Sequence, residues 1–164
     1  MSDVLSQDEI DKLLKAFSSG EIDAEEFKDL TCLKSIVMPK GLATIGENAF
    51  SGCTGLTTIA IPEGVKKIGK YAFFGCGELT SIIIPDSVTS IGYQAFANCS
   101  ILTNVYCKAT TPPTAISYDY DDMWHLFDNN NFGRKIYVPH NSVEAYKSAE
   151  GWSEYADDIV GYDF

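Results

Sequence analysis

The sequence predicts an α+β repeat protein, a short solenoid of 23-residue repeats with a helical N-terminal segment and a C-terminal cap. Three observations predict it. Cys53, Cys76 and Cys99 recur every 23 residues. The segments 57–79, 80–102 and, less regularly, 34–56 superimpose without a gap. Their shared pattern, L-x-x-I-x-I-P-x-x-V-x-x-I-G-x-x-A-F-x-x-C, gives every coil the same apolar columns. A fixed period of this length marks stacked supersecondary units, each unable to bury its apolar face alone.

Each column has a physical reading. Ile36, Ile59, Ile82 and Val105 alternate at period two with Met38, Ile61, Ile84 and Cys107, the pattern of a short strand with one buried face. Pro39, Pro62 and Pro85 close that strand, because proline offers no N–H to a ladder. A second extended piece turns Leu42, Val65 and Val88, then Ile45, Ile68 and Ile91, inward, and Gly46, Gly69 and Gly92 are expected to turn the chain after it. Ala49-Phe50, Ala72-Phe73 and Ala95-Phe96 fill the far side of each coil, and the cysteines complete the stack. The phase extends back to Phe27 and Leu30 and forward to Val105, then stops after Cys107. About four turns at roughly 4.8 Å per strand make a rod core only about 20 Å long. So short a stack needs both ends covered. The expected organisation is therefore 1–26 as a helical N-terminal cap or docking peptide, 27–108 as the solenoid, and 109–164 as a C-terminal cap with an acidic aromatic loop.

The string LTSIIIPDSVTSIGYQAFANC, recurring in register, resembles the BspA-like leucine-rich repeat family. ATTPP at 109–113, IYVP at 136–139 and SVEAYKSAEGW at 142–152 resemble the C-terminal end of many such proteins from host-associated bacteria. The resemblance covers roughly residues 27–164. It implies a curved solenoid that binds protein or adheres at the bacterial cell surface without catalysis.

Residues 1–26 carry no copy of the repeat and read as helix. Ser6-x-x-Glu9 is a capping box, bracketed by Leu5 and Ile10 as a hydrophobic staple. Ile10, Leu13, Leu14 and Phe17 then form one apolar stripe on a helix ending before Gly20. A second box, Asp23-x-x-Glu26 flanked by Ile22 and Phe27, predicts a shorter helix leading into the first repeat. LSQDEIDKLL, from Leu5 to Leu14, also resembles the N-terminal peptide of the flagellar motor switch protein that binds the chemotaxis response regulator. That resemblance implies contacts through Leu5, Ser6, Gln7, Ile10, Asp11, Leu13 and Leu14. Two readings stay open: a cap whose stripe lies on the first coil, or an intracellular adaptor, natural or engineered as a fusion, whose helix docks a response regulator.

The 164 residues carry 12 basic and 23 acidic side chains, a net charge of −11, which disfavours nucleic acid as a partner. No apolar run approaches the roughly 20 residues that span a bilayer, so no membrane insertion is expected. The opening MSDVLSQDEI has no apolar signal region. The compartment stays open between the cell surface or secretion, which the family resemblance implies, and the cytoplasm. The charge is uneven: residues 1–30 hold nine acidic and three basic residues (−6), 31–114 hold four and six (+2), and 115–164 hold ten and three (−7). The acidity belongs to the ends.

No convergent catalytic set is visible, so a non-enzymatic protein without cofactors is expected. His125 and His140 lack ligand-like spacing with cysteine or with one another, no C-x-x-C pair exists, and no metal site is expected. Five cysteines, three of them in one column, argue against a disulfide framework. Asp119, Asp121, Asp122 and Asp128 among Tyr118, Tyr120, Trp124 and Phe127 lack the glycine turn and terminal glutamate of an EF-hand. There, Met123, Trp124, Leu126 and Phe127 are expected to form a short capping helix, or the segment to make a recognition loop. The candidate binding face for a protein ligand is the outward side of the repeat strands, made by Val37, Ala60, Ile83 and Tyr106 beside Thr58, Ser81 and Asn104. Small Thr and Ser residues there also suit strand propensity alone.

Overall fold

A computed structural model describes residues 6–23, 25–116 and 125–164; within the N-terminal helix, the side chains of residues 9, 10, 13, 14, 16 and 17 lie outside that description. The chain winds as a repeat solenoid with two parallel sheets and few helices. Helix α1 (Gln7–Ser19) precedes β1 (Glu21–Ile22), which pairs with β2 (Thr44–Ile45), β3 (Lys67–Ile68), β5 (Ser90–Ile91) and β7 (Thr114–Ala115) in one sheet. The other sheet holds β4 (Ser81–Ile84), β6 (Asn104–Cys107), β8 (Lys135–Pro139) and β9 (Ile159–Tyr162). Single bridges Val37–Ala60 and Ala60–Ile83 extend it toward the N-terminus. Helix α2 (Val143–Ser148) lies in the last coil.

The core is a set of identical columns. Phe27, Phe50, Phe73, Phe96 and Phe127 stack with successive ring centroids 5.2, 5.3, 5.4 and 5.6 Å apart and planes within 12° of parallel. Those spacings follow from the coil repeat, because strands about 4.8 Å apart bring equivalent rings into offset contact. The cysteine column is buried beside it: the thiols of Cys53, Cys76 and Cys99 donate to the carbonyls of Phe27, Phe50 and Phe73 at 3.0, 3.3 and 3.2 Å. Burial pushes the Cys53 thiol up to about 12. The hydrogen bond with Cys99, then burial, raises Cys76, and burial alone raises Cys107.

The glycine column has a different cause from the one expected. Gly46, Gly69 and Gly92 are not in the left-handed region. A Cβ on Gly92 would stand 2.4 Å from the Lys70 nitrogen, and one on Gly69 would stand 2.6 Å from the Glu47 nitrogen. These glycines let neighbouring coils touch. The left-handed turn comes two residues later, at Glu25, Asn48, Tyr71 and Gln94, with φ between 50 and 59°.

Both ends of the ladder differ from expectation. Among the described residues the helix expected from Asp23 is not seen; residues 25–29 are turns, in which the N–H groups of Glu25, Phe27 and Asp29 donate to Glu47, Ala49 and Ser51 of the next coil at 2.7–2.8 Å. Those intercoil bonds replace what a helix would provide, and β1 starts the ladder ahead of Phe27. Nor does the ladder end at Cys107. Asn104 pairs with Lys135, an offset of 31, whereas Ile136 pairs with Ile159, an offset of 23 again. Since Ser90 pairs with Thr114 at an offset of 24, the extra seven residues fall between Thr114 and Lys135. The second sheet thus has six rungs rather than about four. Residues 126–129 form a turn, not the expected helix, because Leu126 and Asp128 carbonyls take the N–H groups of Phe96 and Asn98 at 3.0 and 2.7 Å. Met123 and Trp124 lie outside the described residues, as do Tyr118, Asp119, Tyr120, Asp121 and Asp122.

The last coil is tied down by polar tips on large buried rings. Trp152 Nε1 donates to the Pro113 carbonyl at 2.8 Å and Tyr146 Oη to the Ala109 carbonyl at 2.9 Å. Arg134 reaches the Phe127 carbonyl at 2.8 Å and Asp158 at 2.6 Å, with its guanidinium over the rings of Phe127 and Tyr155.

Two outcomes are expected. Phe73→Ala, in the middle of the stack, costs about 3–5 kcal/mol in denaturant unfolding, and Gly92→Ala also lowers Tm although it only adds a methyl group. At pH 8 a thiol-reactive chromophore modifies exposed Cys32 in the native chain, while Cys53, Cys76, Cys99 and Cys107 react only in denaturant, because they are buried and three of the four have raised thiols.

Candidate binding surface

Strand alternation decides which side chains leave the core. In β4 and β6 the second and fourth residues are buried and the first and third point out. Parallel register then lines up the outward residues of successive coils. The pairings Val37–Ala60–Ile83–Tyr106–Tyr137–Val160 make one continuous column. Val37 is 84% exposed and Ile83 49% exposed. Thus Val37, Ala60, Ile83 and Tyr106 are brought together on one face, and Ser81 and Asn104 pair beside them. Thr58 is exposed on the same strand position one coil earlier.

The hydroxyl flank has in part a structural use. Thr57 Oγ1 donates to the Lys34 carbonyl at 3.2 Å, and Thr103 Oγ1 to the Thr80 carbonyl at 3.3 Å, each reaching the preceding coil. Asn104 Nδ2 donates to Thr103 Oγ1 at 3.1 Å.

Toward the C-terminal side the column becomes aromatic. Tyr106 and Tyr137 stack with centroids 4.7 Å apart and planes 14° from parallel. Tyr162 meets both edge-on at 5.4 and 5.5 Å, and Phe164 stands edge-on to Tyr162 at 5.0 Å. Tyr162 is 41% exposed and Phe164 53%. Burial, then the neighbouring hydroxyls of Tyr137 and Tyr162, raises the Tyr106 phenol above its ordinary value. Tyr137, Tyr162 and Phe164 are not among the face residues expected from the sequence. The alternation in Ile136-Tyr137-Val138 carried the signal, but the insertion ahead of it hid which coil it continues.

The N-terminal candidates are only partly assembled. Leu5 and the side chains of Ile10, Leu13 and Leu14 lie outside the described residues. Gln7 and Asp11 are exposed and hydrogen-bonded to each other at 2.9 Å; Ser6 is exposed just ahead of α1. On the same helix Lys12 donates to the Glu26 carbonyl at 3.0 Å and Lys15 pairs with Asp23, both in the first coil.

A cleft of about 250 Å³ runs over the glycine column and is lined by Glu47, Lys67, Lys70, Tyr93 and Ile116. His140 faces Asp163 at 3.4 Å on an exposed edge. His125, Asp128 and Glu154 meet at one point, with His125 Nδ1 2.5 Å from an Asp128 oxygen. Burial, then the charge of Asp128, raises the Glu154 carboxyl above its ordinary value. Among the described residues no helix is long and apolar enough to cross a membrane.

The fold has several solved counterparts. A leucine-rich repeat protein of T. pallidum is 24% identical with a TM-score of 0.56, covering 86% of this chain and 61% of that one. The pneumococcal vaccine antigen PcpA is 18% identical with a TM-score of 0.64, covering 90% and 40%. A leucine-rich cell surface protein of Faecalibacterium prausnitzii is 24% identical with a TM-score of 0.54, covering 74% and 39%. This chain therefore spans less than two thirds of the length of each. No curated protein matches it. The model of the BspA type leucine-rich repeat region matches residues 20–118 in six copies, starting where α1 hands over to β1. With the stacked columns described above, that match places the chain in the BspA-type leucine-rich repeat family.

Proposed function

We propose that this chain is a non-enzymatic protein-binding module of adhesion type, whose partner lies across the outward face of the second sheet. The carrying observation is the continuous column from Val37 to Tyr137, ending in the Tyr106, Tyr137, Tyr162 and Phe164 cluster. Half-buried Tyr106 and Tyr137, with exposed Tyr162 and Phe164 beside them, supply aromatic contact area of the kind enriched at protein interfaces. The repeat family and the bacterial surface proteins that share the fold support the same reading.

The test is binding of the labelled chain to immobilised extracellular-matrix proteins, read by surface plasmon resonance. Ile83→Asp and Tyr137→Ala, both at outward positions, are expected to cut binding at least about tenfold while leaving circular dichroism unchanged. Equal binding by both variants would move the interface off this face.

The helix α1 and the last coil are read as the two covers of the stack. Lys12 and Lys15 hold α1 to the first coil, and Trp152 and Tyr155 close over Phe127 at 5.9 and 5.4 Å. Deleting residues 1–19 is expected to lower Tm by several degrees, since losing 1–2 kcal/mol moves a domain of this size by roughly 2–8 °C. A tethered peptide kept for a response regulator would be removable without loss of stability.

A further inference from the structure

Two segments that the strand face does not use meet at one point. His125 sits at the start of the turn carrying Phe127, with φ +44°, and its ring stands edge-on to Tyr93 at 6.1 Å. Asp128 lies three residues on, and Glu154 comes from the 3-10 turn Ser153–Asp158. One imidazole nitrogen and one oxygen from each carboxylate lie within 4.8 Å of one another. We propose that His125, Asp128 and Glu154 form a divalent metal site for Zn²⁺.

The argument is one of charge and donor type. Two carboxylates face each other at this point, and the nearby buried cation, Arg134, is paired instead with Asp158 at 2.6 Å. The imidazole of His125, when protonated, pairs with Asp128. A divalent ion neutralises both carboxylates at once. One nitrogen and two oxygens suit zinc, since imidazole is a poor ligand for the harder Ca²⁺ and Mg²⁺. Three protein ligands leave a position for water, as zinc accepts.

Two ligand atoms of a tetrahedral zinc ion, each about 2.0–2.2 Å from the metal, stand roughly 3.3–3.6 Å apart. The donor atoms, which lie within 4.8 Å of one another, therefore close by at most about 1.5 Å at the widest pair. Glu154, on the exposed side, can turn inward to supply that. The ion takes the place of the proton between His125 Nδ1 and Asp128, which separate as it enters. Tyr155 Oη, 3.4 Å from the other Asp128 oxygen, holds that carboxylate in place.

The site would pin the turn at 125–128 to the last coil, a link between the inserted coil and the end of the solenoid. The experiment is calorimetric titration of Zn²⁺ into the full chain after chelator treatment, with Cys32→Ser to remove the exposed thiol. One equivalent is expected to bind in the low micromolar range. Glu154→Gln, an exposed change that leaves the fold intact by circular dichroism, is expected to weaken it at least about tenfold, and His125→Gln to abolish it. Absence of zinc binding, or binding that Glu154→Gln leaves unchanged, would overturn the proposal, the latter placing zinc elsewhere, such as at His140.

Discussion

Everything in this molecule depends on the parallel register between coils. Once residue i pairs with residue i+23, strand and turn N–H groups such as those of Phe50 and Gly69 find carbonyls in a neighbouring coil, and core side chains meet their own equivalents. Like stacks on like. The phenylalanine column is the clearest result, a row of nearly parallel rings spaced by the coil repeat. The cysteines show the same logic on a smaller scale, each thiol donating to the carbonyl of a phenylalanine 26 residues earlier. Such a stack has little tolerance for extra volume. The glycine column marks where that limit is tightest, with backbone of one coil against backbone of the next.

A strict register also explains how the chain survives an insertion. Seven residues enter between Thr114 and Lys135, yet Val105 still pairs with Ile136 and Phe127 still lies on Phe96. Loops on the outside of a coil cost only closure entropy, whereas a shift within the ladder would misplace every column. After the insertion the 23-residue offset returns between β8 and β9, although the last coil carries α2 and the large rings Tyr146 and Trp152 instead of the small repeat residues. These larger rings turn their polar tips to the carbonyls of Ala109 and Pro113, so they are satisfied by the preceding coil.

The proposed binding face is a by-product of the same geometry. Because alternate strand residues must leave the core, a repeat cannot avoid presenting an outward column, and selection acts on what stands there. Its N-terminal part is aliphatic and its C-terminal part aromatic. The threonines beside it brace neighbouring coils through their hydroxyls, so their presence says more about stacking than about a partner.

The amino-acid sequence alone determined the period, the buried columns and the outward positions of Val37, Ala60, Ile83 and Tyr106, because all of these follow from a local pattern repeated in register. It also carried the family, since the pattern is specific. Three things needed the tertiary structure. The start of the ladder did, because intercoil bonds to Glu25, Phe27 and Asp29 outweigh a local capping box. The continuation through β8 and β9 did, because an insertion hides the phase from any one-dimensional comparison. The aromatic cluster and the meeting of His125, Asp128 and Glu154 did as well, since residues up to 56 positions apart became neighbours only when coils stacked. Periodicity is written along the chain; which coil lies beside which is decided by hydrogen bonds between coils.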